Sequence, residues 1–191
     1  MDSAFKGVKK MTYKESLDIA FLKTDSEESD YDSNMFPVLA NEAQRFIAMY
    51  GTHINKKVSI DVTSAPYTYA LPSDFYRMSL KGVVYAEDEL QGADWSYADD
   101  GKIIINGTGS FNLYYYALPT DLTQPGVNLE TYEYEVAPET HIAIPSYIGY
   151  QLVKTDDVQL AQVLLNEWNK YMSLFTDAQK AVKRRIKNIR R

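Results

Sequence analysis

The spacing of the apolar residues changes twice along this 191-residue chain, and that change constrains the fold more than any other feature. Both ends repeat apolar residues every three or four positions, which is the period of an amphipathic α-helix. Residues 57–117 instead alternate apolar and polar residues, which is the period of a half-buried β-strand. The pattern predicts an α+β fold, in which helices from both chain ends form a helical bundle with an inserted antiparallel β barrel or sandwich.

Two helices are predicted before the β region. Thr12 and Glu15 have the spacing of a capping box, which predicts a helix over residues 12–24. A second helix, over residues 35–50, ends at Gly51 as its C-terminal cap. The helical period assigns the following residues to its apolar face: Phe36, Leu39, Ala43, Phe46, Ile47 and Tyr50.

About six strands are predicted in the β region, from short β-prone runs separated by turn residues. Asp100-Gly101 and Asn106-Gly107 each lie between two such runs. These pairs favour two-residue hairpin turns because glycine tolerates positive φ. The sequence therefore predicts a hairpin at each pair.

Tyrosines on the β region are candidates for contact with another subunit. In the last predicted strand, Phe111, Leu113 and Tyr115 share one face, and Tyr114 and Tyr116 lie on the other. Those two tyrosines could roof a core with their hydroxyls in water, or they could meet another protein. The candidate subunit-interface residues are Tyr67, Tyr69, Tyr114 and Tyr116.

The helical period returns after a loop that is rich in proline, threonine and acidic residues. The closing helix carries the cleanest amphipathic stripe of the chain: Ala161, Leu164, Leu165, Trp168, Tyr171, Met172 and Phe175. The predicted organisation is a discontinuous bundle of residues 1–55 and 138–175, a β insertion of 56–118, a loop of 119–137 and a basic C-terminal arm of 176–191.

The charge distribution separates this arm from the rest of the chain. Residues 176–191 hold seven cations and one acid, a net charge of +6. Because the whole chain has a net charge of −6, the other 175 residues carry a net charge of −12. Ala178, Val182, Ile186 and Ile189 add a narrow apolar stripe. Three interpretations stay open: a solvated helix end, a peptide that docks in a partner's groove, and a nucleic-acid-binding arm.

The residue types that catalysis would need are absent from the sequence or have a predicted structural role in a turn or a helix start. The chain has no cysteine, and its two histidines, His53 and His141, are far apart in sequence. The carboxylate pairs Asp99/Asp100 and Asp156/Asp157 belong to a predicted turn and a predicted helix start. No motif of a phosphate-binding loop or an activated nucleophile is present. We therefore expect no enzymatic activity, no catalytic residue, no metal site and no cofactor.

The first residues lack the apolar core of a signal peptide, and no run of about 20 apolar residues predicts a membrane span. We therefore expect no association with a membrane.

Three segments carry a resemblance to a known family. They are Tyr69-Ala70-Leu71-Pro72-Ser73-Asp74-Phe75-Tyr76-Arg77, Ile148-Gly149-Tyr150-Gln151-Leu152, and Thr155-Asp156-Asp157 followed by Leu160-Ala161 and Asn166-Glu167-Trp168. With the order of two helices, a β insertion, two closing helices and a basic tail, the chain resembles the head-to-tail connector proteins of tailed bacteriophages, also called adaptor or neck-ring proteins. The likeness extends over residues 12–175 and lies in the order and character of the elements.

The resemblance implies a structural virion protein in the neck between head and tail, assembled in the host cytoplasm. Such proteins form a ring, commonly a dodecamer, which binds the portal protein, extends the DNA channel and presents a surface to tail or further neck proteins. DNA would pass without specific binding, because an acidic body repels the duplex. The implied portal-binding residues are Lys180, Lys183, Arg184, Arg185, Ile186, Lys187, Ile189, Arg190 and Arg191.

Two rival functions remain at this point. A nucleic-acid-binding protein would act through the basic arm. A carbohydrate-binding module would use a platform of stacked aromatic side chains on the strands. The candidate platform residues are Tyr67, Tyr69, Trp95, Tyr97, Tyr114 and Tyr116.

Overall fold

The computed structural model has an α+β fold and describes residues 9–99 and 101–189, with side chains described from residue 9 to residue 176 apart from residue 100. The helices are α1 (Tyr13–Thr24), α2 (Met35–Tyr50), α3 (Ile144–Val153) and α4 (Val158–Ile189), with 3-10 helices at Glu28–Asp30 and Pro138–Ala143. The strands are β1 (Ile54–Val62), β2 (Tyr67–Ala70), β3 (Phe75–Tyr85), β4 (Trp95–Ala98), β5 (Lys102–Ile105) and β6 (Gly109–Ala117). Two compact units result: a helical unit of Met1–His53 and Pro119–Arg191, and a β unit of Ile54–Leu118.

The capping box predicted at the start of α1 is confirmed. The Glu15 amide donates to Thr12 Oγ1 at 3.1 Å, and the Thr12 amide donates to Glu15 Oε2 at 2.8 Å. These two bonds satisfy amides that have no partner within the helix. The helix ends at Asp25, which adopts a left-handed φ of 51°.

Helix α3 lies at the centre of the helical unit and contacts the other three helices. Ile144 and Ile148 are fully buried. Gly149 allows the close approach of α1 and α4, because a Cβ there would lie 3.2 Å from Leu164 Cδ1 and 3.3 Å from Thr24 Cγ2. The predicted stripe of the closing helix is confirmed at its centre, where Ala161, Leu164 and Trp168 are buried.

The predicted apolar face of α2 is partly wrong. Phe36, Leu39, Ala43 and Ile47 are buried as predicted, but Phe46 is 42% exposed and Tyr50 is 58% exposed. The buried face is completed by Ala40, Asn41, Gln44 and Ala48. The helix is therefore rotated, relative to the prediction, toward a face that carries two amide side chains.

The β unit consists of two three-stranded antiparallel sheets, with strand orders β1-β6-β3 and β2-β5-β4. The strands described in this unit form no closed barrel. Strands of both sheets contribute to one buried cluster: Ile60, Val62, Val83, Ile103, Ile105, Phe111, Leu113, Tyr115 and Ala117.

Of the two predicted hairpins, one is confirmed and one is wrong. Strands β4 and β5 pair across a turn that contains Gly101, whose φ is +67°. At Asn106-Gly107 the chain instead leaves one sheet for the other, since β5 pairs with β2 and β4 whereas β6 pairs with β1 and β3. Gly107 packs beside Phe111, where an added Cβ would lie 3.2 Å from the ring.

Candidate functional site

The predicted portal-binding residues lie at the C-terminal end of the chain, where the structure describes the backbone as far as Ile189. The backbone of α4 continues to Ile189, so most of the arm extends this helix. The residues Lys180, Lys183, Arg184, Arg185, Ile186, Lys187, Ile189, Arg190 and Arg191 all lie outside the described side chains.

The four candidate interface tyrosines are divided between the two sheets. Tyr67 and Tyr69 belong to β2, and Tyr114 and Tyr116 belong to β6. Tyr67 is exposed, but Tyr69 packs against the buried cluster of the β unit. The four side chains therefore belong to two different sheets and do not form one surface.

Tyr114 lies within a cluster of charged side chains. The Lys81 Nζ is 4.4 Å from the centre of its ring, and Lys57 Nζ is 6.0 Å from it on the neighbouring strand. Its hydroxyl donates to Glu89, which also accepts from Lys81 at 2.7 Å. These bonds, first from Lys81 and then from Tyr114, lower the pKa of Glu89.

The guanidinium of Arg77 similarly packs over the ring of Tyr116, at 5.1 Å from the ring centre. Arg77 also lies 5.5 Å from the centre of the Tyr76 ring. On the outer face of the β1-β6-β3 sheet, Tyr114 and Tyr116 therefore already make cation–π contacts with lysine and arginine side chains of the same chain.

His141 is buried, and backbone groups satisfy both of its ring nitrogens. The Met11 amide donates to Nδ1 at 2.9 Å, so Nε2 carries the proton and donates to the Val136 carbonyl at 2.9 Å. Burial lowers the pKa of His141, and Lys10 adds to this effect while Val136, Glu139 and Glu133 oppose it. His141 therefore has a structural role, with both ring nitrogens bonded to backbone groups of the same unit.

Because the pKa of His141 is lower in the folded chain than its ordinary 6.5, acid should destabilise the fold. Above pH 6.5 the imidazole of His141 is neutral in both the folded and the unfolded chain, so its titration does not change the free energy of unfolding. Below 6.5 the unfolded chain binds the proton first, and stability falls until the pH passes the folded pKa. Urea unfolding from about pH 7 to about pH 5 should show this fall in the wild type and a smaller one in His141→Gln.

The matched control for this prediction is His53→Gln, which removes the other histidine. That variant should keep the full fall in stability, since it leaves His141 unchanged. An equal pH dependence in the wild type and His141→Gln would contradict the assignment to His141.

A buried polar network connects α2 to the segment 119–137. Gln44 is fully buried; its Nε2 donates to the Thr120 carbonyl at 2.9 Å, and its Oε1 accepts from the Tyr132 hydroxyl at 3.0 Å. Asn41 donates to Asp121 Oδ1 at 3.0 Å, and Arg45 donates to Asp121 Oδ2 at 2.9 Å. The amide and carboxylate groups of this network have partners within the same unit, which is typical of a structural network, and Arg45 Nε is its one buried atom without a partner among the described residues.

Two bonds from Thr123, together with Arg45, lower the pKa of Asp121. This carboxylate is therefore ionised and occupied by donors, which suits a structural role.

Glu167, which the sequence analysis did not single out as a site residue, joins three helices. Its Oε2 accepts from Lys23 of α1 at 2.6 Å and from Ser146 of α3 at 3.0 Å. Partial burial by itself raises the pKa of Glu167, but these two bonds, the charge of Lys23 and a bond from Tyr171 together lower it. A carboxylate held ionised by two donors is a structural anchor and a weak base.

A shallow groove of about 570 Å³ lies between α2 and α3. We call it the aromatic groove, and its lining residues are Glu42, Arg45, Phe46, Met49, Tyr50, Tyr147, Gln151 and Lys154. The Phe46 ring lies 6.0 Å from that of Tyr50 and 5.9 Å from that of Tyr147. The groove has the shape and chemistry for an apolar side chain, with Lys154 at its edge and with the charge of Arg45 already paired with Asp121.

The described side chains contain no group of three or more histidine, cysteine, aspartate or glutamate residues that could hold a metal ion. The Asp156/Asp157 pair has the predicted structural role, since Asp157 Oδ1 accepts from the Leu160 amide at the start of α4. No helix in the described part of the chain is long and apolar enough to cross a membrane.

No protein-family model matches the chain, and no curated protein matches it.

Proposed function

We propose that this chain is a structural virion protein that forms a ring between the portal and the tail of a bacteriophage. The ring extends the DNA channel and bridges head to tail, with the portal protein and tail or further neck proteins as partners. In each subunit the helices of both chain ends form the bundle, and the two sheets pack as a small sandwich around their shared buried cluster. The protein transforms no molecule.

One contrast within the described residues carries this proposal. Histidine, amide and carboxylate side chains that could do chemistry are occupied by partners of the same unit, as His141, Gln44 and Glu167 illustrate. Large apolar side chains are instead exposed on both units, among them Phe46, Tyr50, Leu80 and Leu90. Of these, Phe46 and Tyr50 lie side by side, with ring centres 6.0 Å apart, and apolar side chains grouped in this way are typical of contacts with other proteins.

The test is imaging and native mass spectrometry of the purified chain, alone and with the portal protein of the same phage. We expect a closed ring of about twelve copies, since head-to-tail contacts that close on themselves give cyclic assemblies. A chain that remains monomeric and never binds the portal would contradict the proposal.

Removal of the arm should abolish portal binding while the fold persists. A chain that ends after Thr176 keeps the bond from Thr176 Oγ1 to the Tyr50 carbonyl, at 3.2 Å, and loses seven cations. We expect portal binding in a pull-down to fall below detection. The circular dichroism spectrum should change only by the helical signal of the turns that were removed. Retained portal binding would show that the arm is dispensable.

The same truncated chain separates this proposal from the nucleic-acid-binding rival, which the net charge of +6 on the arm favours. That rival predicts binding of the intact chain to random duplex DNA, with a steep loss of affinity as salt rises. Loss of DNA binding without loss of portal binding would support the rival function.

A further inference from the structure

A pocket of about 540 Å³ lies within the helical unit, lined by residues of α1, the start of α2 and the segment 119–137. We call it the Tyr13 pocket. Its apolar wall includes Leu17, Phe36 and Leu122, and Tyr13 is among its polar lining residues. A pocket with apolar walls and a small number of polar groups is typical of a binding site.

The hydroxyl of Tyr13 makes no hydrogen bond with another described residue, although Tyr13 is only 7% exposed. The hydroxyl of the nearby Tyr134, by contrast, is bonded to Ser16 Oγ at 2.7 Å. Burial first, and then the charge of Glu28, raise the pKa of Tyr13, so its hydroxyl keeps the proton near neutral pH. A buried hydroxyl without a partner costs free energy, and a ligand that bonds to it in the pocket would remove that cost.

The carboxylate of Glu28 is the unpaired charge of this pocket among the described contacts. The other charged lining residues, Lys14 and Glu130, pair with each other, with Lys14 Nζ 3.7 Å from Glu130 Oε2. Glu28 lies close enough to Tyr13 to affect the pKa of its hydroxyl. The pocket therefore offers a ligand one free carboxylate and one free hydroxyl beside an apolar wall.

Glu28 also belongs to a strongly acidic loop, residues 25–32, which has five carboxylates and no lysine or arginine. All five carboxylate residues are exposed, and none forms a salt bridge with a described cation. The loop is ordered by its own bonds, since the Glu27 amide donates to Asp30 Oδ2 at 2.8 Å and the Asn34 amide donates to Asp32 Oδ1 at 3.0 Å. A concentration of unpaired negative charge beside a pocket attracts a cationic partner.

An arginine side chain fits this combination better than a lysine side chain or a metal ion. Its guanidinium donates several hydrogen bonds in one plane, so it can bond to a carboxylate and to a neighbouring hydroxyl oxygen together. It is also more weakly hydrated than the ammonium of lysine, so it enters a pocket with apolar walls at a lower cost. The described side chains contain no group of three or more acidic or histidine residues that would favour a metal ion.

We propose that the Tyr13 pocket binds an arginine side chain from a basic segment of a partner protein. The guanidinium pairs with Glu28 and donates to the Tyr13 hydroxyl, and the aliphatic stem packs on the apolar wall beside Leu17 and Leu122. Further cations of the segment face the other carboxylates of the acidic loop. The contact goes beyond the proposed function and does not depend on ring formation.

Fluorescence anisotropy of the full chain tests this contact with a labelled peptide that has a central arginine, a leucine on each side of it and a lysine at each end. The matched peptide has citrulline in place of arginine, which keeps the shape and removes the charge. We expect the citrulline peptide to bind at least about tenfold more weakly to the wild type. Glu28→Gln should weaken binding of the arginine peptide by a similar factor.

Tyr13→Phe separates binding from folding, because it removes only a hydroxyl that has no partner within the described residues. It should weaken binding of the arginine peptide about fivefold and leave the urea midpoint of unfolding unchanged or higher. A purely structural hydroxyl would show the opposite result, with a lower midpoint and unchanged binding.

Glu27→Gln is the matched control, because it removes the same charge from the same loop at a residue outside the pocket lining. It should change binding by no more than about twofold, as is usual for an exposed charge. The proposal is overturned if the wild type does not bind the arginine peptide, if the citrulline peptide binds equally well, or if Glu28→Gln behaves like Glu27→Gln.

Sedimentation velocity of the wild type and Glu28→Gln identifies the source of the arginine. We expect the two chains to associate to the same extent. Weaker self-association of Glu28→Gln would place the basic arm of a second copy in the pocket and overturn the assignment to a partner protein. Peptide binding by a chain that never forms a ring would support this contact and overturn the proposed function, and a ring of chains that ignore the peptide would do the reverse.

Discussion

Phe111→Ala should lower the free energy of unfolding of the β unit by about 3–5 kcal/mol, the usual cost of truncating a fully buried phenylalanine. Phe111 is 0% exposed and lies in the cluster to which both sheets contribute. Its ring centre is 4.9 Å from that of Tyr85, and Gly107 packs beside it. Alanine would leave a cavity at the place where the chain passes from one sheet to the other.

The two tryptophans make this prediction specific to one unit. Trp95 lies in the β unit and Trp168 in the helical unit. Fluorine NMR of protein labelled with 5-fluorotryptophan gives one signal for each, so urea unfolding of both units can be followed in one sample. We expect Phe111→Ala to shift the Trp95 transition and to leave the Trp168 transition in place.

Leu80→Ala is the matched control for Phe111→Ala, because Leu80 lies in the same unit and is largely exposed. Its effect should be within about 0.5 kcal/mol, as for most exposed positions. A Phe111→Ala transition no different from that of Leu80→Ala would show that Phe111 is not part of a packed core.

The position of Phe111 could be predicted because the alternation of a strand depends only on neighbouring residues. Phe111, Leu113 and Tyr115 are all buried, as their shared face predicts. The sheet to which each strand belongs depends instead on pairing between distant residues. Asn106-Gly107 has a local hairpin signal, but β6 pairs with β1 and β3 on either side of it, so the chain changes sheets there.

The rotation of α2 has the same kind of cause. The helical period alone favours a buried Phe46 and Tyr50, because both lie on the same apolar stripe of the helix as Phe36. Asn41 and Gln44 are buried in the structure because Thr120, Asp121 and Tyr132 offer them hydrogen-bond partners about 80 residues away in sequence. The aromatic groove is a consequence of this network, and no local pattern in α2 predicts it.

Gln44→Ala should therefore destabilise the helical unit strongly, although it removes a polar side chain from a helix. The Thr120 carbonyl and the Tyr132 hydroxyl would each lose a partner, at a cost of about 1–3 kcal/mol for a group shut off from water and less for the carbonyl of Thr120, which is an exposed residue. Burial already raises the pKa of Tyr132, which is the expected behaviour of a hydroxyl with little access to water.

The same fluorine NMR experiment measures this effect, with Trp168 now the signal expected to shift and Trp95 the internal reference. Gln162→Ala is the matched control, because Gln162 is exposed on α4 and bonds only to Asn166 on the same helix among the described contacts. If Gln44→Ala unfolds at the same urea concentration as this control, the network is not what turns the Asn41 and Gln44 face of α2 toward the core. Phe46 and Tyr50 would then owe their exposure to another cause, and the groove would lose its structural basis.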